Sequence, residues 1–258
     1  MLRNRLIFGL IHADGFFMQS RNFRLQRVGD LNWLEKNYRL QETSFSIDEL
    51  LIVDASRNSK SMYKFCESVG KISEKVFIPI AAGGGIRAVK DADALFKNGA
   101  DKLVINTAFK SNPDAVRSII ATYGSQCVIA SVDYKLIDGR PTVFIENGSQ
   151  EIPEDLGVYL ALLKNFGVGE ILLNSIDCDG TGFGFDLDTI SMHAGTLKIP
   201  FIAMGGAGNS SHFKAALGID GVSSVATANL FNFIGNGLPL ARSDLLDSSF
   251  NLAAWNYV

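Results

Sequence analysis

The sequence predicts an α/β fold: one eight-stranded β/α barrel, the TIM barrel, built from two similar half-barrels. The chain has 258 residues, of which 47% are hydrophobic. That length is close to the roughly 250 residues of a complete barrel. Eight short apolar runs alternate with stretches of helical periodicity, and the first half of the chain recurs in the second. We therefore expect a single domain over 1–258, with half-barrels at about 1–125 and 126–258.

The eight apolar runs have the length of β-strands, and a segment with helical spacing follows each one. Strands that alternate with helices form right-handed β-α-β units, and uniformly apolar strands are buried on both faces of a parallel sheet. The predicted strands are 5–11, 49–55, 76–82, 101–107, 127–133, 170–176, 199–204 and 221–227. An open, doubly wound sheet is the alternative. The closed barrel is favoured because six of the eight runs recur in matched pairs.

The internal repeat relates strands of the two halves. IPIAAGGGIR, which begins at Ile78, matches IPFIAMGGAG, which begins at Ile199, at a shift of 121 residues. The same shift aligns Glu49 with Glu170. An offset of 122 residues aligns Ile11, at the end of the first strand, with Asp133, at the end of the fifth.

Composition excludes several classes of protein. The net charge is −3 with both signs interspersed, so no basic face for nucleic acid is expected. The first residues lack the core and cleavage site of a signal peptide, and no apolar run approaches the roughly 18 residues of a membrane span. Three cysteines, Cys66, Cys127 and Cys178, lie far apart, which favours buried thiols in a reducing compartment over a zinc site. A cytoplasmic protein without metal or cofactor is expected.

Glycine-rich and polar segments stand at the predicted strand ends. In a β/α barrel the chemistry lies at the C-terminal ends of the strands, where glycines and helix N-termini suit phosphate groups. One predicted phosphate site comprises Gly84, Gly85, Asn106 and Thr107, and its counterpart comprises Asp179, Gly180, Gly205, Gly206, Ala228 and Asn229. Glycines that only shape turns are the alternative for any single loop. Because the two loops are related by the repeat, a ligand with two phosphates is predicted.

Charged residues stand directly before four of the apolar runs, at the opposite face. They are Arg5, Glu49, Lys102 and Glu170. Each of them alone is typical of a solvated strand end. Together they comprise two cations and two anions, so a neutral ring across the barrel mouth is geometrically available, in which buried charges would be paired.

Five segments carry a family resemblance: IPIAAGGGIR, GADKLVINTAF, YGSQCVIASVD, GVGEILLNSIDCDGTG and IPFIAMGGAGNSSHF. They resemble the cyclase subunit of imidazole glycerol phosphate synthase, of histidine biosynthesis, and the resemblance covers nearly the whole chain. It implies a glutaminase subunit docked on the N-terminal face, near Asp101. It also implies that ammonia passes the four charged residues, as a gate, and crosses the barrel to a bisphosphorylated ribonucleotide at the C-terminal face, where both phosphate sites match.

The chain departs from the family pattern at the catalytic pair. The resemblance implies one Asp at the end of strand one and one at the end of strand five. Asp133 keeps the second, but Ile11 stands at the first and cannot transfer a proton. Gln19 replaces a substrate-binding lysine in the next loop, which also carries Phe16 and Phe17. Losing one acid or base typically costs about 10²- to 10⁴-fold in rate.

Other candidates for the missing acid have structural explanations. His12 follows Ile11 and should face the outer helices, unless a bulge re-aims it. Asp14 precedes a glycine and is typical of a turn. His193 and His212 fall in predicted helices and are interpreted as structural.

Three functions remain open at this point. In the first hypothesis, the chain is a paralogue that passes ammonia to another acceptor, for example through a sugar amidotransferase of surface-polysaccharide synthesis. Alternatively, it is a working cyclase of histidine biosynthesis. In the third hypothesis it is a scaffold without catalysis that activates a glutaminase.

Overall fold

The computed structural model describes residues 3–57 and 60–253. Its strands are β1 Arg5–Ala13, β2 Phe16–Arg21, β3 Arg24–Gly29, β4 Glu49–Asp54, β5 Ile80–Gly83, β6 Lys102–Ile105, β7 Val128–Ile137, β8 Arg140–Ile145, β9 Gln150–Asp155, β10 Glu170–Ser175, β11 Phe201–Met204 and β12 Val222–Thr227. Parallel pairing runs in the order β1, β4, β5, β6, β7, β10, β11 and β12, and β12 pairs with β1 to close the ring. The predicted eight-stranded barrel is confirmed.

Helices lie between the barrel strands. They are α1 Leu31–Tyr38, α2 Leu40–Thr43, α3 Met62–Ser73, α4 Val89–Lys97, α5 Ala108–Ser111, α6 Pro113–Tyr123, α7 Leu156–Phe166, α8 Leu187–Leu197, α9 Ser210–Leu217 and α10 Gly237–Asp247. Polar residues fix several of their starts. The side chain of Asn112 accepts a hydrogen bond from the Ala115 N–H, and Pro113 takes the first position of α6, where no N–H is needed.

The core has two layers because strand residues alternate between the two faces of the barrel wall. Leu6, Phe8 and Leu10 point outward and pack under the helices. The inward residues form a separate apolar cluster along the barrel axis: Ile7, Leu51, Ala81, Val104, Ile129, Leu172, Ile202, Met204 and Ala226. The axis is therefore lined by apolar side chains between its two ends.

Two barrel strands continue into β-hairpins above the C-terminal mouth. β1 pairs with β2, which pairs with β3, and β7 pairs with β8, which pairs with β9. The segment after strand one was predicted to be a loop, but most of it forms β2 and β3, so that prediction is wrong. The turn itself is as predicted: Asp14 and Gly15 have φ of 51° and 87°, as a two-residue type I′ hairpin turn requires.

The third predicted strand, 76–82, is misplaced at its start. In the structure β5 begins only at Ile80, because Pro79 has no N–H to donate and Phe77 is exposed. None of the described helices combines the length and apolar character that a membrane span requires.

Candidate functional site

A cavity of about 190 Å³ opens at the C-terminal end of the barrel. Its floor consists of inward residues at the strand ends: Ile11, Val53, Asn106, Ser131, Asp133, Asn174 and Met204. Its wall includes the loop Gly84–Gly85 and Phe23. Phe23 lies in the turn between β2 and β3, which together (16–29) form the first hairpin. The predicted catalytic position Asp133 and the substituted position Ile11 therefore line the same cavity.

Asp133 lies at the floor of this cavity, and both of its carboxylate oxygens accept a hydrogen bond. Asn106 Nδ2 donates to its Oδ2 atom and Asn174 Nδ2 to its Oδ1 atom, each over 3.0 Å. Burial raises the pKa of Asp133 to about 7, against the lowering effect of the Asn174 hydrogen bond, and the nearby charge of Asp179 raises it further. A carboxyl group with this pKa exchanges protons near neutral pH, as a general acid or base must.

Ile11 gives the other side of the floor an apolar surface. Its side chain is 8% exposed, and the residue pairs with Val53 of β4 and Met18 of β2. The neighbouring His12 points away from the cavity, as expected. Its Nδ1 atom lies 3.5 Å from Asp54 Oδ1, and its ring contacts Phe65 of α3. Neither His12 nor the turn residue Asp14 takes the place of an acid inside the barrel.

The two histidines of the helices α8 and α9 have surroundings that fit structural roles. His212 Nδ1 accepts a hydrogen bond from the Gly208 N–H. Burial lowers the pKa of His193, which favours its neutral form. Among the described residues, no group of three or more His, Cys, Asp or Glu side chains is placed to hold a metal ion. The three cysteines are free thiols.

The first glycine loop, Gly84–Gly85, is open to the cavity. Gly84 has φ of 107°, and a Cβ atom there would lie 2.3 Å from the Asp54 carbonyl oxygen, so only glycine fits. Asn106 and Thr107 line the cavity beside it. Three cationic side chains complete this part of the wall: Arg57, Lys60 and Arg87. The loop therefore combines close backbone approach with positive charge.

The second glycine loop, Gly205–Gly206, is closed. The space among Gln19, Asp179, Gly180, Gly205, Gly206, Ala228 and Asn229 is about 10 Å³, room for about one water molecule. The predicted residues of this site are thus brought together, but against the first hairpin. A Cβ atom at Gly180 would lie 1.9 Å from the Ser20 carbonyl oxygen. The two loops, predicted to be equivalent, differ in the structure.

Asp179 joins the second loop to the hairpin. Its Oδ2 atom accepts hydrogen bonds from Ser20 Oγ at 2.5 Å and from the Phe23 N–H at 3.1 Å. Its carbonyl oxygen accepts another from the Asn22 N–H at 2.9 Å. The carboxylate that the sequence placed in a phosphate site therefore anchors the hairpin.

At the opposite end of the barrel, the four charged residues form a ring. Arg5 Nη1 lies 2.7 Å from Glu49 Oε2 and also bridges to Glu170. Lys102 Nζ lies 2.8 Å from Glu49 Oε2 and 2.6 Å from Glu170 Oε1. Each cation thus contacts both anions. The structure brings together all four residues of the predicted ring.

The pKa values of the two carboxyl groups in the ring are shifted in opposite directions. Burial raises the pKa of Glu49, although the charges of Lys102 and Arg5 oppose it. Burial also acts upward on Glu170, but the hydrogen bond and charge of Arg5 outweigh it, so the pKa of Glu170 is lowered. Glu49 Oε1 is buried without a hydrogen-bond partner among the described residues.

Asp101 lies at the same face as the ring, one residue before β6. It is exposed, and its carboxylate accepts a hydrogen bond from the Ile80 N–H at 2.8 Å. Phe77, in the loop that leads into β5, is 83% exposed. This face therefore presents an acidic side chain and a large apolar one to solvent.

Comparison with known proteins identifies the family. A family model described as "Histidine biosynthesis protein" matches residues 29–235. The chain belongs to this family. Relatives from three organisms align with the chain over most of both lengths.

A protein of Parasynechococcus marenigrum (strain WH8102) named "Putative imidazole glycerol phosphate synthase subunit hisF2" is 43% identical over 256 residues, 99% of this chain and 95% of its own. The "Imidazole glycerol phosphate synthase subunit HisF" of Corynebacterium urealyticum is 36% identical over 233 residues, 89% of this chain and 90% of its own. The HisF subunit of Thermotoga sp. (strain RQ2) is 36% identical over 234 residues, 90% of each chain. The chain is a HisF-family protein, which confirms the resemblance.

Two parts of the site were not predicted from the sequence: Asn174, and the contact between Gln19 and Leu230. Asn174 lies four residues after Glu170 on β10, so strand alternation from the ring residue could have placed it inside the barrel. The bond from the Leu230 N–H to Gln19 Oε1, at 2.9 Å, joins residues 211 positions apart. Nothing in the local sequence indicates this second contact.

Proposed function

We propose that the chain is the barrel subunit of a glutamine-dependent complex, which receives ammonia from a glutaminase and conducts it to an acceptor other than the ribonucleotide of the HisF cyclases. One observation carries the proposal: the charged ring is complete, whereas the cavity at the other end has Ile11 beside Asp133. All four residues of the proposed ammonia entrance are present, whereas the pair of carboxylates needed for cyclisation lacks one member, at Ile11.

The N-terminal face supports a docked glutaminase. Asp101 and the exposed Phe77 lie beside the ring, so a partner that covers them would deliver ammonia next to Arg5, Glu49, Lys102 and Glu170. The relatives are named as subunits, which accords with a partner chain. We place the complex in the cytoplasm, where glutamine is available and thiols stay reduced.

The ring would act as an ammonia gate. Glu49 Oε1 is a buried acceptor without a partner among the described residues, and it can take an N–H of an incoming ammonia molecule. Beyond the ring, Ile7, Leu51 and their neighbours form an apolar layer. An ammonium ion would lose its hydration there at a cost of many kcal/mol, whereas neutral ammonia pays much less. The layer therefore selects the neutral nucleophile.

Asp133 meets ammonia at the end of this path. With a pKa raised to about 7 by burial, it takes up or releases a proton at the acceptor near neutral pH. Asn106 and Asn174 orient its carboxylate. A second proton-transfer group, which ring closure requires, is missing at Ile11. A single carboxylate serves amine addition better than cyclisation.

A second candidate is cyclase activity in histidine biosynthesis. The names of the relatives favour it directly, and so does the retention of an oriented Asp133. In that case the missing acid would come from the substrate or from water.

The deciding experiment is formation of imidazole glycerol phosphate from the bisphosphorylated ribonucleotide, with ammonium salt in place of a glutaminase. We expect turnover at least about 10²-fold below that of the Thermotoga sp. HisF relative. Asp133→Asn in this chain is the control, and its residual rate should equal that of the unmodified protein. Turnover comparable with that of the Thermotoga sp. HisF protein would contradict the proposal and support cyclase activity in histidine biosynthesis.

A further inference from the structure

A buried histidine on the outer face of β1 lies between a carboxylate and a hydroxyl group. His12 is 3% exposed and stands beside Asp54 in the pairing of β1 with β4. Its Nδ1 atom is 3.5 Å from Asp54 Oδ1, and its Nε2 atom is 3.4 Å from Ser68 Oγ of α3. Phe17 of β2 and Phe65 of α3 pack on the ring. His12 therefore contacts a barrel strand, an outer helix and the first hairpin at once.

Asp54 connects this histidine to the turn that leads into the first hairpin. Its Oδ1 atom accepts hydrogen bonds from the Ser56 N–H at 3.1 Å and from Ser56 Oγ at 2.6 Å. Ser56 Oγ in turn accepts one from the Asp14 N–H at 3.0 Å. Burial acts to raise the pKa of Asp54, but its contacts with His12 and Ser56 outweigh burial, so the pKa is lowered. The ionised carboxylate thus lies between the histidine and the turn.

The donors and acceptors around His12 are satisfied together only when both ring nitrogens carry a proton. Ser68 Oγ donates to the Lys64 carbonyl oxygen at 3.1 Å, so it offers a lone pair to the ring. The Asp54 carboxylate also only accepts. A neutral imidazole has one N–H, so it satisfies both neighbours only if Ser68 leaves Lys64. Nδ1 has no hydrogen-bond partner among the described residues, and a proton there would close its contact with Asp54.

The same aspartate borders the mouth of the barrel. Asp54 lines the C-terminal cavity, and Phe23 in the turn of the first hairpin lines it too. A Cβ atom on Gly84 would lie 2.3 Å from the Asp54 carbonyl oxygen, so the end of β4 and the glycine loop are in close contact. A change in how firmly the hairpin is held would therefore change access to the cavity.

The charge that faces His12 comes from Asp54. The other side chains that pack on the ring, among the described residues, are uncharged: Phe17, Phe65 and Ser68. Asp14, two residues further along the chain, is exposed in the turn. Imidazole is the side chain whose charge ordinarily changes between about pH 5 and pH 8, where a carboxylate such as that of Asp54 stays ionised. The proton on His12 therefore determines whether this contact is an ion pair.

We propose that His12 is a proton-dependent link between α3 and the base of the first hairpin. Its protonated ring bridges Ser68 and Asp54, and through Asp54 it holds the turn at Asp14. Loss of the proton removes one of these charge-assisted contacts, which are stronger than neutral ones, and so loosens the hairpin over the mouth. The proposal goes beyond the proposed function, because it concerns access to the mouth and holds for any acceptor.

The test is limited digestion with trypsin, because the first hairpin carries three exposed arginines, Arg21, Arg24 and Arg27. Cleavage at these sites is followed by mass spectrometry at about pH 6 and about pH 8.5, on either side of the ordinary imidazole range. Each rate is divided by the rate for an unstructured peptide at the same pH. We expect the normalised cleavage to be about tenfold faster at the higher pH, as loss of one hydrogen bond to a charged group implies.

Substitutions at His12 test whether this residue is responsible. His12→Gln and His12→Leu should both abolish the pH dependence, because neither new side chain gains a proton, and His12→Gln decides if His12→Leu does not fold. His193→Gln is the matched control, since His193 lies in α8, and it should keep the full dependence.

Two outcomes would overturn the proposal. One is normalised cleavage of the unmodified protein that is equal at both pH values. The other is a pH dependence that persists in a folded His12 variant, which would assign it to another group such as Asp133, whose pKa is about 7. Neither result bears on glutaminase activation or on turnover of the HisF substrate, so the proposed function can fail separately.

Discussion

The two ends of the barrel differ in how far they follow the pattern of the HisF cyclases. At the N-terminal end, the four ring residues are all present, and each of the two cations contacts both carboxylates. At the C-terminal end, an apolar side chain stands beside Asp133 and a hairpin closes one of two glycine loops. The end that would receive ammonia is kept, and the end that would use it is altered.

The largest expected effect tests the altered end. Ile11→Asp combined with Gln19→Lys should raise formation of imidazole glycerol phosphate by about 10²-fold or more, since one change restores a proton-transfer group and the other frees the second loop. The measurement is steady-state turnover with ammonium salt. The double variant should recover more than either single variant alone, because groups that act as one unit are non-additive. Asp133→Asn in the double variant should remove the gain, and a gain that survives it would contradict the assignment.

The next effect tests the N-terminal end. Lys102→Met removes one cation from between Glu49 and Glu170 and leaves Arg5 alone with two buried carboxylates. We expect the free energy of unfolding in urea to fall by about 2 kcal/mol or more. Lys71→Met is the matched control, because the Lys71–Glu67 pair is exposed and screened by solvent, and it should leave the free energy of unfolding nearly unchanged. Equal losses in the two variants would mean that the ring has no special role in stability.

A third effect compares two exposed phenylalanines at opposite ends. Phe77, at the N-terminal face, is 83% exposed, and Phe183, in the loop between β10 and α8, is 86% exposed. Phe77→Asp should weaken binding of a HisH-type glutaminase about tenfold or more, as loss of a central apolar anchor does. Phe183→Asp should leave binding unchanged. The measurement is stimulation of glutamine hydrolysis. A larger loss of stimulation in Phe183→Asp than in Phe77→Asp would mean that the partner binds at the C-terminal face.

The smallest effect is a pH dependence at Asp133. Its pKa is raised from the ordinary value of 3.8 to about 7 by burial, so the native state holds a proton that the unfolded state releases between about pH 4 and pH 7. Its ionisation therefore lowers the free energy of unfolding as pH rises through that window. Asp133→Asn should gain stability relative to the unmodified protein progressively over the same window, because the amide has no proton to lose. A constant difference from pH 4 to pH 8 would contradict the raised pKa.

The sequence predicts the barrel well because its signals are local or periodic. Eight apolar runs, their alternation with helices and the 121-residue repeat together specify a closed parallel sheet. The ring residues follow from charges at equivalent strand starts, and their contact needs only the barrel geometry. Asp133 and Ile11 follow from the repeat in the same way.

The hairpin and its contacts could not be predicted in this way. The segment after β1 carries polar and aromatic residues without a clear strand pattern, so it read as a loop. Its conformation depends on bonds to residues far away in sequence, such as Ser20 to Asp179 and Gln19 to Leu230. For this reason the sequence indicated two equivalent glycine loops, and only the packing of the hairpin distinguishes them.

The charged ring also bears on which two half-barrels can close the barrel. Arg5, Glu49 and Lys102 all belong to the first half of the chain, and Glu170 to the second. The first half therefore contributes a net charge of +1 to the ring and the second contributes −1. Two copies of the first half would place an excess of positive charge at their shared rim, whereas the correct halves neutralise each other. The contact of Arg5 with Glu170, 165 residues later in the chain, would therefore favour closure of the barrel by its own second half over a swapped assembly.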